Sequence, residues 1–258
     1  MQEELLLDFP KKILIYGKIN YSKILGGYMV KPIIGIVPRT EYVNTNYRVQ
    51  VNYSYLEPFN KRDITPIILP LNSNNVSELL PLCDGFLVPG GDDINPEYYG
   101  EANEGDSHDV DENLDKLDKI VLEYALKNKV PTLGICRGVQ AIAAFLGGSL
   151  YQDITKAGLK NDEVEHKHMV KNTFIHPFNN LFPSNFEINS YHHQALKKVP
   201  DDFVITFMHN DIIEGIIHHA LPIIGVQWHP ERFDSNESKT IFDYFAGLIK
   251  EYHAKRNL

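Results

Sequence analysis

Two hydrophobic rhythms divide this chain. Before about residue 150, short runs of consecutive apolar positions alternate with stretches of helical period. Ile33-Ile34-Gly35-Ile36-Val37, Ile67-Ile68-Leu69 between two prolines, Phe86-Leu87-Val88 and the run 130–135 are apolar on both faces, as buried parallel strands are. Between the last two, Leu114, Leu117, Ile120, Val121, Tyr124 and Ala125 recur at helical spacing over 113–129. Shorter helical pieces are expected from residue 51 and over 77–80. Strands alternating with helices predict a parallel sheet covered on both faces. After residue 150 strand-like pieces follow one another at 186–189, 204–207, 212–217 and 223–226, with short connections and few helices. A closing helix starts near 238, with Ile241, Phe245 and Leu248 on one face. The expected fold is therefore α/β: a single domain with a mostly parallel central sheet flanked by helices and antiparallel additions in the C-terminal half. The domain is expected over 29–258. Residues 1–28 read as an extension, either upstream sequence or an extra strand or arm.

The most informative position is Cys136. It lies between the apolar run and the next helix, within Gly134-Ile135-Cys136-Arg137-Gly138. This is the cysteine form of the nucleophile elbow, a tight strand-to-helix turn that presents its central side chain. The start of the following helix favours a thiolate. A lone cysteine is more often a small core residue; the glycine spacing reverses that expectation here.

A nucleophilic thiol needs a base. His229 ends the run Ile223-Ile224-Gly225-Val226-Gln227-Trp228, and strand ends are where open α/β sheets place their sites. Glu231 follows two residues later, positioned to hold the second ring nitrogen. Alone, His-Pro-Glu would be read as a surface strand end.

Four segments together carry a resemblance. They are Pro89-Gly90-Gly91-Asp92-Asp93-Ile94-Asn95-Pro96-Glu97-Tyr98-Tyr99-Gly100, Gly134-Ile135-Cys136-Arg137-Gly138-Val139-Gln140, Asn189-Ser190-Tyr191-His192-His193-Gln194-Ala195, and Gly225-Val226-Gln227-Trp228-His229-Pro230-Glu231. In this order they resemble the class I glutamine amidotransferase-like superfamily, and within it the gamma-glutamyl-gamma-aminobutyrate hydrolase family, peptidase family C26. The resemblance covers residues from about 31 to the end and implies a catalytic Cys136, His229 and Glu231. It implies cleavage of the gamma-glutamyl amide of a small molecule, gamma-glutamyl-GABA from putrescine breakdown being the family's named substrate. The oxyanion would be met by the backbone N–H of Arg137 and of Gly91. Gly90, Gln140, His192 and Gln194 are candidates for substrate contact, with Glu97, Tyr99 and Tyr191 as further suspects. The chain departs from the family at Ala143, where Asn is frequent. A glutaminase subunit feeding ammonia to a separate synthase is the alternative, and a binder without activity is disfavoured by the intact Cys136, His229 and Glu231.

Charge narrows the partners. The 258 residues carry a formal net charge of −9, unfavourable for nucleic acid or anionic membranes, and no apolar run reaches membrane-spanning length. The two cysteines form no disulfide framework. Cys83 is expected in the core, and a working Cys136 must stay reduced, which points to the cytoplasm. The chemistry needs no metal or other cofactor. The pair His166 and His168 lacks further ligands at metal spacing, and His218 and His219 are expected in solvent. The acidic stretch 101–112 reads as a solvated loop. Arg137 either attracts a substrate carboxylate or holds the elbow by a salt bridge. Whether the chain forms a homo-oligomer is left open.

Overall fold

Parallel and antiparallel strands meet in one nine-stranded sheet. The structure, a computed structural model, describes residues 30–71, 73–161 and 165–257; residues 1–28 lie outside them. In chain order the elements are β1 (Ile33–Ile36), β2 (Arg39–Val43), β3 (Asn46–Gln50), α1 (Glu57–Asn60), β4 (Thr65–Ile68), α2 (Ser73–Leu79), β5 (Gly85–Val88), α3 (Glu112–Asn128), β6 (Thr132–Ile135) and α4 (Arg137–Phe145). They continue with β7 (Ser149–Tyr151), β8 (Lys167–Asn172), β9 (Asn185–Asn189), β10 (Ala195–Lys198), β11 (Phe203–His209), β12 (Ile212–His218), β13 (Ile223–Val226) and α5 (Asn236–Arg256). The sheet order is β4-β1-β5-β6-β13-β12-β11-β8-β9. From β4 to β13 all pairs are parallel, and from β13 to β9 all are antiparallel.

Side chains alternate across the sheet, so its two faces bury two apolar clusters. Phe86, Val88 and Ile223 pack with Leu117 and Val121 of α3 and Val139 and Ile142 of α4. Leu87, Ile224 and Val226 face Ile241, Phe242 and Phe245 of α5. Helix α3 starts where the Asp111 carboxylate accepts from the N–H groups of Asn113 and Leu114. Helix α5 starts at Ser235, whose side chain accepts from the Ser238 N–H.

Several elements differ from the sequence reading. Residues 53–55 form a 3-10 turn before α1. The hairpin β2–β3 and the small pair β7–β10 were not expected. Strand β8 escaped notice because its inward positions are His168, Val170 and Asn172, so polarity does not alternate even though burial does. His218 corrects an expectation. It is buried at the end of β12, where Nδ1 accepts from the Ala220 and Leu221 amides; only its neighbour His219 is exposed. Cys83 is a core residue as expected, its thiol pushed up to about 12 by burial and then by the charge of Asp84. Among the described residues no helix is long and apolar enough to cross a membrane.

Candidate active site

Cys136 stands between β6 and α4 with φ 53° and ψ −110°, a backbone conformation costly for a side-chain-bearing residue. Local packing enforces it. The Cys136 N–H donates to the Val226 carbonyl of β13 at 2.8 Å, and its own carbonyl accepts from the Val139 N–H at 3.0 Å. A Cβ on Gly138 would lie 1.9 Å from the Val88 carbonyl oxygen, so only glycine lets the first turn of α4 sit this close to β5.

Strands β6 and β13 are parallel neighbours, with Val226 opposite Ile135. The segments that follow them therefore leave the sheet at the same edge, which brings His229 to Cys136. His229 Nδ1 donates to Glu231 Oε1 at 2.8 Å, leaving Nε2 as the ring nitrogen for the thiol. Asn189, at the end of β9, holds the His229 backbone from both sides: its Oδ1 accepts from the His229 N–H at 2.8 Å, and its Nδ2 donates to the carbonyl at 2.9 Å. The Tyr55 hydroxyl accepts from the Gly90 N–H at 3.1 Å and lies 3.4 Å from His229 Nδ1. A Cβ on Gly90 would come within 2.7 Å of the imidazole Cε1. Glycine is what lets this turn lie against the imidazole.

The electrostatics favour a thiolate–imidazolium pair. Burial opposes the Cys136 thiolate, but the hydrogen bond and charge of His229, the charge of His192 and the Arg137 backbone N–H bring the thiol below its ordinary value. Burial likewise opposes the imidazolium, and the hydrogen bonds and charges of Cys136 and Glu231 outweigh it, raising His229 to about 9. The two titrate as a pair.

Arg137 makes the salt bridge rather than reaching for a ligand. It is 1% exposed and pairs with Asp115 and Asp118 of α3. Arg39 shares Asp118 and donates to the carbonyls of Pro89 and Gly90, 2.7 Å away in the latter case. One ion network thus ties the Gly90-Gly91 turn to the elbow, which sets the relation between the Gly91 and Arg137 amides. Gln140 and Gln194 are buried beneath the elbow. Gln140 Nε2 donates to the Gln194 carbonyl at 3.2 Å and to Gln227 Oε1 at 3.3 Å. Gln227 Nε2 in turn points at Cys136 Sγ, 3.8 Å away. The Gln194 side chain donates to Ser107 Oγ and the Gln152 carbonyl. His192 lies between the Gln194 carbonyl and Glu214. These three sit behind the thiol. The open side is a cavity of about 500 Å³ beside Cys136 and His229, walled by Thr40, Glu41, Gln50, Asp92, Tyr191 and Arg232. Glu97 and Tyr99 both lie within a 3-10 turn, Pro96–Tyr99, and do not line that cavity.

Sequence reasoning missed Tyr55, Arg39, Gln227 and Glu214, and assigned no task to Asn189. Glu214 did leave a signal: it is the one charged residue in the apolar run 212–217. Tyr55 and Arg39 left none, since the fold alone brings them to the site.

The Peptidase C26 family profile matches residues 32–231, and the chain belongs to that family, within the class I glutamine amidotransferase-like superfamily. It is 28% identical over 254 residues to gamma-glutamyl-gamma-aminobutyrate hydrolase PuuD of Escherichia coli K12, across 88% of this chain and 97% of that one. It is 33% identical over 218 residues to a Schizosaccharomyces pombe protein provisionally named a glutamine amidotransferase, across 79% of this chain and 83% of that one. A glutamine amidotransferase from Thermotoga maritima has a similar fold, with a TM-score of 0.57 at 17% identity over 88% of this chain and 86% of that one. The family and the hydrolase relative support a hydrolase.

Proposed function

We propose that the protein is a cysteine hydrolase that cleaves the gamma-glutamyl amide bond of a gamma-glutamyl amine, with gamma-glutamyl-GABA as the leading substrate and a role in putrescine catabolism in the cytoplasm. The observation that carries this reading is the convergence of Cys136, on its strained elbow, with the His229–Glu231 pair beside the Gly90-Gly91 turn. The Cys136 thiolate attacks the amide carbonyl. The Arg137 and Gly91 N–H groups stabilise the tetrahedral oxyanion. His229, held by Glu231, gives its Nε2 proton to the leaving amine, and the C–N bond breaks to leave a glutamyl thioester. His229 then takes a proton from water, the hydroxide attacks the thioester, and glutamate leaves as Cys136 regains its thiolate. Arg232 and Asp92 on the cavity wall present opposite charges to the substrate.

The amidotransferase relatives favour a second reading, a glutaminase subunit that passes ammonia to a synthase. Incubation with gamma-glutamyl-GABA, glutamine and other gamma-glutamyl amides, with Cys136→Ala as control, separates the two. Rapid Cys136-dependent glutamate release from the GABA conjugate supports the hydrolase. Release from glutamine alone overturns that reading in favour of the subunit.

A further inference from the structure

Behind Cys136, on the side away from the cavity, lies a buried ionisable cluster that the hydrolytic mechanism does not use. Glu214 projects from the middle of β12 and its side chain is 0% exposed. Its Oε1 faces two imidazoles, His168 Nε2 at 3.1 Å and His192 Nε2 at 3.6 Å. Nothing else among the described residues hydrogen-bonds either Glu214 oxygen. A buried carboxylate this poor in hydrogen bonds is costly unless a cation compensates it.

Two imidazoles can supply that cation: His168, whose Nδ1 lies 3.0 Å from Asn161 Oδ1, and His192, the one joined by hydrogen bonds to the elbow. His192 Nδ1 faces the Gln194 carbonyl at 2.9 Å, which can only accept. Its Nε2 faces the Glu214 carboxylate, which also only accepts when ionised. An imidazole with acceptors at both nitrogens is satisfied only when both carry protons. The groups around it come from several elements: Glu214 of β12, His168 of β8 across the carboxylate, Cys136 at the elbow, and His229 and Glu231 beyond the thiol. His209 of β11 stacks on His168 at 3.9 Å. His193, the next residue along, is engaged by Asp93 instead.

A continuous set of hydrogen bonds joins this pair to the reactive sulfur. The Gln194 carbonyl accepts from both His192 Nδ1 and Gln140 Nε2, Gln140 Nε2 also donates to Gln227 Oε1, and Gln227 Nε2 points at Cys136 Sγ. The Gln227 N–H also donates to the Glu214 carbonyl at 2.8 Å.

We propose that Glu214 and His192 form a buried ion pair that acts as a positioning device for Cys136: the fixed imidazolium holds the sulfur as a thiolate from behind, and the amide relay aims the Gln227 donor at it. His229 can then shuttle protons on the open side without being the sole source of positive charge at the sulfur. The direction of the titrations agrees. Burial opposes the His192 imidazolium, but Glu214 and Cys136 raise it above the ordinary histidine value. Burial opposes the Glu214 charge, and the two histidines bring it to about 2.

The inference rests on Cys136 being the nucleophile, and its test reads the thiol without a substrate. Iodoacetamide alkylation rates are measured against pH for the wild-type protein, His192→Gln, Glu214→Gln and the double variant, with Cys136→Ala as the blank for Cys83. Both single variants are expected to shift the alkylation midpoint upward by about one pH unit, which slows alkylation about tenfold at pH values well below both midpoints. The double variant should shift no further than the larger single one, because each removes the same ion pair. Midpoints unchanged in both folded single variants overturn the proposal. A fold-independent arm uses the unmutated protein labelled with 15N and 13C at histidine, with the residue 192 imidazole assigned by through-bond transfer from its backbone. Imidazolium nitrogen shifts at pH 7 support the ion pair; a neutral tautomer refutes it. Turnover of gamma-glutamyl amides by Cys136→Ala would instead defeat the nucleophile reading, whatever the alkylation profiles show.

Discussion

The parallel and antiparallel halves of the sheet serve the candidate site differently. The parallel half supplies the proposed reactive atoms at strand ends. Cys136 follows β6, the Gly90-Gly91 turn follows β5, and His229 follows β13. The antiparallel half supplies fixtures. Asn189 at the end of β9 clamps the His229 backbone, and Glu214 of β12 and His168 of β8 stand behind the thiol. Strand ends at one edge of a parallel sheet bring groups from distant parts of the chain together. Their exact orientation and charge then depend on buried polar side chains from the neighbouring strands.

Experiments can separate placement from fixing. The largest effect is expected for Cys136→Ala, which removes the reacting atom of the parallel half; glutamate release should fall by on the order of 10⁶-fold, with the circular dichroism spectrum unchanged. Normal turnover would end the assignment of placement to the parallel half. Arg137→Met comes next. It leaves the buried Asp115 and Asp118 without their main cation and should destabilise the fold by about 3–5 kcal/mol in urea unfolding. Unchanged stability would mean that the ion network does not hold the elbow.

Asn189→Ala tests fixing from the antiparallel half. Both of its bonds to His229 disappear, and stability should fall by about 1–3 kcal/mol, while kcat falls more than KM rises. An equal loss in Cys136 alkylation would show that Asn189 supports the fold in general rather than the base. A smaller effect is expected in pH dependence. The kcat/KM profile should lose activity on the alkaline side near 9, where His229 gives up the proton meant for the leaving amine. His229 is raised from 6.5 to about 9, so its contribution to stability is complete below 6.5 and lost as pH rises through 9. Glu214 is lowered from 4.5 to about 2, so its contribution is complete above 4.5 and lost as pH falls towards 2. Urea midpoints across pH should flatten on the acid side in Glu214→Gln. The smallest change is expected for Met169→Thr, on the outward face of β8 and 53% exposed; stability should stay within about 0.5 kcal/mol. A larger loss would mean that the outer face of the antiparallel half is not inert.

The sequence determined the strand-and-helix alternation, the elbow at Cys136 and the short spacing of His229 and Glu231. Each of these is local: apolar period, glycine spacing and a strand end are written in neighbouring residues. Arg137 shows where local reading stops, because a buried arginine between two carboxylates of α3 and a free arginine awaiting a substrate have the same sequence. Tyr55, Arg39, Asn189 and Glu214 mark the same limit from the other side. Their tasks depend on which strands become neighbours, and the pairing of β6 with β13 joins Thr132–Ile135 to Ile223–Val226, segments separated by most of the second half of the chain. Only the tertiary structure decided those contacts, because a buried hydrogen bond or ion pair is worth having only once long-range packing has removed water from around both partners.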